Sequence, residues 1–217
     1  MDFEQARYNM VEQQIRPWEV LDKKVLDLMM SVRREEYVPA AYRELALADV
    51  EIPIGHGESM LPPKLEAKIL QEVGLRKSDR VLEIGSGSGF MTALLAEGGQ
   101  HVYSVEIVPE LSAMAAENLR AHHVKNVTLE IGDGASGWEA RGPYDVIVLT
   151  GSVPVLPDAF LKSLHLGGRI FAIVGEDPVM RATRVTRTGQ DSWHTEDLFE
   201  TSAPRLRNAK IPPKFVF

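Results

Sequence analysis

The nine residues Val81-Leu82-Glu83-Ile84-Gly85-Ser86-Gly87-Ser88-Gly89 constrain the fold more than any other stretch of the chain. A short apolar run passes through one acid into three glycines at alternate positions, and a helix-like stretch, 90–97, follows at once. A strand buried on both faces reads as such an apolar run, and glycine lets the chain turn sharply beneath a ligand. The helix that starts there offers unpaired N–H groups and the positive end of its dipole. Strand, glycine turn and helix together predict a nucleotide-like cofactor.

The spacing narrows the choice of cofactor. A dinucleotide fingerprint, G-x-G-x-x-G, has its third glycine one position later, to pack helix on strand around a pyrophosphate. Here that position is Phe90, and the third glycine is Gly89. Glu83, two residues before the first glycine, would repel a pyrophosphate and attract a cationic amine. S-adenosylmethionine has an amino group and a sulfonium, and no phosphate. The next strand pattern, 101–106, ends in Glu106, 21 residues beyond Gly85. An acid at that distance is placed to accept hydrogen bonds from ribose hydroxyls. A third acid, Asp133, follows the strand pattern 127–131 and is placed to reach an adenine amino group. Three acids at successive strand tips beside one crevice favour an adenosylmethionine site over three solvated loop carboxylates.

Around this motif, strands and helices alternate. Apolar positions recur at helical spacing through the first forty residues, with Met10, Met29 and Met30 among the expected core and Pro17 ending or kinking the first helix. Residues 52–57 read as an extended, turn-rich connection, and Pro62-Pro63 starts a helix over 64–73. Strands are expected at 80–85, 101–106, 127–131, 144–150 and 169–174. Helices are expected at 90–97, 109–121, near 135–140, and at 157–164. Two more strands, 183–187 and 193–199, join through hairpin chemistry at 188–191. The pattern predicts an α/β, Rossmann-like, doubly wound and mostly parallel sheet. An N-terminal helical segment and antiparallel C-terminal strands complete it. Residues 1–60 form the helical segment and acceptor-side loop, and 61–217 the cofactor-binding core.

Composition excludes several classes. The 217 residues, 44% of them hydrophobic, suffice for one sizeable core. A net charge of −7 argues against nucleic acid as a partner, since phosphate binding needs clustered Lys and Arg. The cluster Arg205, Arg207, Lys210 and Lys214 reads as solvated surface, as do Arg16, Arg33 and Arg34. The absence of cysteine excludes disulfides, thiolate metal sites and a cysteine nucleophile, and it fits a cytoplasmic protein. No apolar run approaches the ~18 residues of a membrane span, and the start has no signal-like apolar region. No metal site is expected. His122 and His123 are adjacent, so on a helix they point about 100° apart. Trp18 and Trp138 read as packing residues, and the apolar end 211–217 as a segment able to dock on the sheet.

Several further stretches resemble the protein-L-isoaspartate O-methyltransferase family. They are Met10-Val11-Glu12-Gln13-Gln14-Ile15, Arg34-Glu35-Glu36-Tyr37-Val38-Pro39, Ile52-Pro53-Ile54-Gly55-His56-Gly57 and Gly132-Asp133-Gly134-Ala135 with Gly137-Trp138. Pro143-Tyr144-Asp145-Val146-Ile147-Val148 and Gly167-Gly168-Arg169 extend the likeness, which reaches about residue 176. The resemblance implies an enzyme that methylates the α-carboxylate of isoaspartyl residues in proteins or peptides, converting S-adenosylmethionine to S-adenosylhomocysteine. It implies that Glu83, Gly85, Gly87 and Gly89 line the methionine side, with Ser86 and Thr150 also binding the cofactor. Glu106 then holds the ribose, Ile107 flanks the adenine, and Asp133 with Ala135 meets its edge.

One departure concerns the acceptor. Where the family has a segment like G-Q-T-I-S-Q-P, this chain reads Gly57-Glu58-Ser59-Met60-Leu61-Pro62-Pro63, so the active-site serine falls on Leu61. Ser59 replaces the threonine conservatively, and Ser59 and Leu61 are the candidate catalytic positions. Ser152 is a second hydroxyl near the expected acceptor site, and His56 is a candidate contact to a substrate carboxylate. Two alternatives stay open: a relative that methylates another small-molecule or protein acceptor, and a non-catalytic adenosylmethionine-binding module.

Overall fold

The computed structural model describes residues 2–211. The chain opens with α1 (Phe3–Asn9), capped by the Asp2 carboxylate, which accepts from the backbone N–H groups of Glu4 and Gln5. The helix continues through a π turn, Met10–Ile15, into a 3-10 turn, Arg16–Trp18, that contains Pro17. α2 (Lys23–Ser31) follows, capped by Asp22. The stretch read as an extended, turn-rich connection, 52–57, belongs to a small antiparallel hairpin, β1 (Ile52–Gly55) with β2 (Glu58–Met60). α3 (Pro63–Val73) then leads to the main sheet.

β3 (Arg80–Ile84), α4 (Phe90–Gly98), β4 (His101–Glu106), α5 (Pro109–Ala121) and β5 (Val127–Ile131) come next. They are followed by β6 (Tyr144–Val153), α6 (Asp158–Lys162), β7 (Leu164–Glu176), β8 (Val179–Gly189) and β9 (Ser192–Glu200). The strand order is β5-β4-β3-β6-β7-β8-β9, parallel up to β7, with β8 and β9 antiparallel. This is the expected doubly wound sheet with its antiparallel end. Two elements differ from expectation. Residues 135–140 form turns, not a helix, and the helix after Pro157 stops at Lys162 because β7 already begins at Leu164.

Alternate side chains of each central strand feed opposite cores. Val146, Val148, Phe171 and Ile173 join Met10, Ile15, Met29, Leu70 and Leu94 on one face. Ile147, Leu149, Ile170 and Ala172 join Leu82, Tyr144 and Phe160 on the other. The N-terminal helices therefore share a core with the sheet. Among the described residues, no helix is long and apolar enough to cross a membrane.

From β3 the chain winds outward to β4 and β5, then returns to place β6 on the other side of β3. Such a reversal opens a crevice at the carboxyl ends of the strands, where doubly wound folds bind ligands. The helix below the crevice is packed through Gly89, which caps α4 at φ +83°. A β-carbon there would stand 3.1 Å from the Ala115 Cα of α5. Left-handed backbone and close packing both select glycine. Gly89→Ala is expected to lower the unfolding free energy by about 1–3 kcal/mol, read as a lower urea midpoint at unchanged slope.

Candidate functional site

The crevice is a cleft lined by the tips of β3, β4 and β6, the β1–β2 hairpin, and residues 204–207. Its floor is the glycine turn. Gly85 has φ +98°, and a β-carbon on it would collide with Thr150 Oγ1. That hydroxyl donates to the carbonyls of Ile84 and Gly85 at 2.8 and 2.9 Å, pinning the turn to β6.

Glu106 is fixed from both sides. Its Oε2 accepts from Gly87 N and its Oε1 from Val108 N, both at 3.0 Å. An ionised carboxylate has about four acceptor sites, so capacity for a diol remains. Asp133 is similarly held: Oδ1 accepts from Ala135 N and Oδ2 from Asn208 Nδ2, each at 3.0 Å. Of the expected site residues, Ser59, Leu61, Gly85, Ser86, Gly87, Glu106, Ile107, Asp133, Ala135 and Thr150 all lie on the cleft wall.

Gly89 and Glu83 do not line the cleft. Gly89 acts through helix packing. The expected place of Glu83 beside a donor amine needs correction, because side chains alternate along β3. With Ile84 on the cleft, Glu83 falls on the opposite face, fully buried beneath α4. Its Oε2 accepts from Thr92 Oγ1 at 2.5 Å and Ser104 Oγ at 2.6 Å, while Oε1 has no partner. Burial is the main force pushing this carboxyl up to about 8; the Ser104 and Thr92 hydrogen bonds oppose it, and Glu106 and Glu66 add to it. Ser104 also shares a 2.5 Å hydrogen bond with Ser86, so Glu83 is linked to the cleft through two hydroxyls.

The wall around Leu61 hangs on Arg34, which is not solvated as expected but fully buried. Its guanidinium forms an ion pair with Glu66 and donates to the carbonyls of Leu61 and Ala46, both at 2.8 Å. It also packs over the Phe90 ring, 5.1 Å from the centroid. A second buried pair, Arg7–Glu35, lies on the same N-terminal segment. Ser59 Oγ donates to Glu51 at 3.1 Å, and Ser152 Oγ donates to the Ala203 carbonyl at 2.9 Å. His56 lies outside the lining, and its carbonyl accepts from Arg207.

The remaining wall comes from residues that sequence reasoning placed in solvent. Ser152 N donates to the Pro204 carbonyl at 2.8 Å, and Leu206 N donates to the Ser152 carbonyl at 2.9 Å. This brings Arg205 and Arg207 to the cleft. Arg207 Nε donates to Glu58 Oε1 at 2.6 Å, tying this wall to the hairpin. Lys210 is exposed as expected, while Lys214 and most of the apolar end 211–217 lie outside the described residues. Trp138 packs on Gly132 and donates to Glu130 at 2.5 Å; Trp18 is 54% exposed, beneath the Lys64 ammonium.

A family model described as protein-L-isoaspartate(D-aspartate) O-methyltransferase matches residues 5–202. The chain belongs to that family. Protein-L-isoaspartate O-methyltransferase 1 of Rhodopseudomonas palustris is 39% identical over 197 residues, 90% of this chain and 80% of the relative. The Staphylothermus marinus protein-L-isoaspartate O-methyltransferase is 36% identical, over 89% of this chain and 90% of its own. A solved protein-L-isoaspartate O-methyltransferase superposes with TM-score 0.76 at 26% identity, covering 92% of this chain and 65% of that one. A Plasmodium falciparum structure, described as this type of enzyme with S-adenosyl-L-homocysteine bound, superposes with TM-score 0.80. It covers 95% of this chain and 99% of its own at 20% identity, a likeness of fold.

Two outcomes follow from the buried charges. Folded Glu83 keeps a proton that the unfolded chain releases between the ordinary value of 4.5 and about 8, so stability falls as pH rises through that window. The slope is at most ~1.4 kcal/mol per pH unit. Glu83→Gln, which has no proton to lose, should remove its share of that slope in urea melts taken from pH 5 to 8, leaving the share of Glu66, which burial pushes up to about 7. Arg34→Met leaves Glu66 buried without its counter-ion and frees the Leu61 carbonyl, so it should cost about 3–5 kcal/mol, measured by the same melts.

Proposed function

We propose that this chain transfers the methyl group of S-adenosylmethionine to the α-carboxylate of L-isoaspartyl residues in damaged proteins and peptides. The methyl ester then closes to a succinimide, whose hydrolysis returns some normal aspartate. The observation that carries this reading is Glu106, held by two backbone N–H groups at the switch point of the sheet. It stands in an acid-bearing cleft whose chain matches the isoaspartate methyltransferase family. A cleft with Glu106 and Asp133 on its wall suits a donor that offers ribose hydroxyls and an adenine amino group.

In this reading Glu106 accepts from the ribose hydroxyls, Ile107 flanks the adenine, and Asp133 with Ala135 meets the adenine edge. Gly85, Ser86, Gly87 and Thr150 support the methionine side, and Glu83 and Gly89 shape the turn from behind. Residues 1–60 serve as the acceptor-side segment and 61–217 as the donor-binding core. The absence of cysteine suits work in the reducing cytoplasm.

The bound donor supplies an electrophilic methyl on sulfur. An acceptor carboxylate is already ionised near pH 7 and needs no general base. The chain's task is alignment of oxygen, methyl and sulfur, which supplies up to ~7–11 kcal/mol in the best cases. Leu61 offers no hydroxyl to orient that carboxylate, and its carbonyl is engaged by Arg34. One hydrogen bond to a charged group is worth roughly 1.5–3 kcal/mol, ~10- to 150-fold in rate. The apolar side chains of Ile54, Met60 and Leu61 favour a second reading, a methyltransferase for a less polar acceptor.

Labelled-methyl transfer to an isoaspartyl peptide and its aspartyl twin separates the two. The first reading expects label on the isoaspartyl peptide alone, and label on neither rejects it. Leu61→Ser should raise isoaspartyl kcat/KM by up to the ~10- to 150-fold that one such hydrogen bond provides. No gain would argue that position 61 no longer faces the carboxylate.

A further inference from the structure

The acids that suit a cationic donor work against an anionic acceptor. Four carboxylates, Glu58, Glu66, Glu106 and Asp133, lie on the cleft wall. Two are neutralised within the protein, Glu66 by Arg34 and Glu58 by Arg207. Glu106 and Asp133 have no cation beside them among the described residues. A carboxylate entering this cleft therefore needs a positive group or a strong donor to meet it.

Few candidates exist among the cleft-lining side chains, because nearly all the donors are already committed. Ser59 donates to Glu51, Thr150 to two backbone carbonyls, and Ser86 is bonded to Ser104. Arg207 is engaged with Glu58 and the His56 carbonyl. Ser88 is buried in the glycine turn, on the donor side. Arg205 differs from all of these. It lines the cleft, is exposed, and its side chain has no hydrogen bond or ion pair among the described residues.

Resting on the isoaspartyl reading above, we propose that Arg205 is the acceptor-binding residue of this chain. Its guanidinium receives the carboxylate to be methylated and supplies the contact that Leu61 cannot. The backbone supports this role. Arg205 bridges to Ser152, and its neighbours Pro204 and Leu206 are both hydrogen-bonded to Ser152, so its Cα is anchored at the tip of β6. A guanidinium forms charge-assisted hydrogen bonds to a carboxylate at roughly twice the strength of neutral ones. Engaging one carboxylate oxygen leaves the lone pairs of the other free to attack the methyl carbon. As the C–O bond forms, the C–S bond breaks and its electron pair stays on sulfur. The methyl ester is uncharged, so the ion pair with Arg205 is lost at the moment of transfer. The same residue then favours capture of the acid and release of the ester.

The test compares wild type, Arg205→Lys and Arg205→Met on an isoaspartyl peptide, with calorimetric binding of S-adenosylhomocysteine as the control for fold and donor site. Arg205→Met should lose about 10- to 150-fold in kcat/KM while binding S-adenosylhomocysteine as wild type does. Arg205→Lys should recover part of the loss, and added guanidinium at low concentration should restore part of the activity of Arg205→Met. Raising ionic strength should increase KM for wild type and hardly change it for Arg205→Met, since the attraction is screened. Wild-type kcat/KM in Arg205→Met, or a loss matched by lost S-adenosylhomocysteine binding, overturns the assignment and leaves the isoaspartyl reading intact. A wild-type protein that binds S-adenosylhomocysteine and labels no isoaspartyl peptide overturns both.

Discussion

The hydrogen bond from Gly87 N to Glu106 Oε2 joins the two features on which the site depends. One is the glycine turn after β3; the other is the carboxylate at the tip of β4. With Oε1 bound to Val108 N, Glu106 organises the backbone of two strand tips at the place where strand order reverses. It does so before any ligand enters, so ordering these groups is not charged against binding. Thr150 does for β6 what Glu106 does for β4, and together they hold the floor of the cleft against three adjacent strands.

The opposite side of the cleft is built on different principles. Side-chain hydrogen bonds from Glu106 and Thr150 hold the floor, whereas guanidinium groups, Arg34 buried and Arg207 exposed, hold the facing wall. Arg34 reaches three separate segments through Ala46, Leu61 and Glu66, and Arg207 bridges to the hairpin through Glu58 and His56. Arginine suits such junctions because its planar fork meets several acceptors at once and its charge persists on burial. The cleft carries Glu106 and Asp133 along the strand tips and Arg205 on the wall formed by residues 204–207.

Much of this was legible in the sequence. The parallel sheet followed from apolar runs alternating with helical periodicity, and its antiparallel end from the hairpin signal at 188–191. Glu106 and Asp133 could be placed because strand tips mark the ligand edge of such a fold. Glu83 was legible as a strand residue but not as to side: a one-residue step along β3 decides between cleft and core, and only Ile84 facing the cleft fixed the phase. Arg34 sits in an acidic run, Arg34-Glu35-Glu36, that reads as a solvated turn, and its buried partner Glu66 is 32 residues away. The same holds for Arg205 and Arg207, whose position follows from pairing with Ser152, a contact with no local signature.

The distance in sequence between the two halves of the cleft has a further consequence. Glu58 and Arg207 meet across 149 positions of the chain. The hairpin, the glycine turn and the parallel strands are all encoded before the residues that close this wall. The wall at residues 204–207 is thus among the last parts of the chain to be made, and a chain halted before residue 204 would carry the glycine turn and Glu106 without the side that faces them.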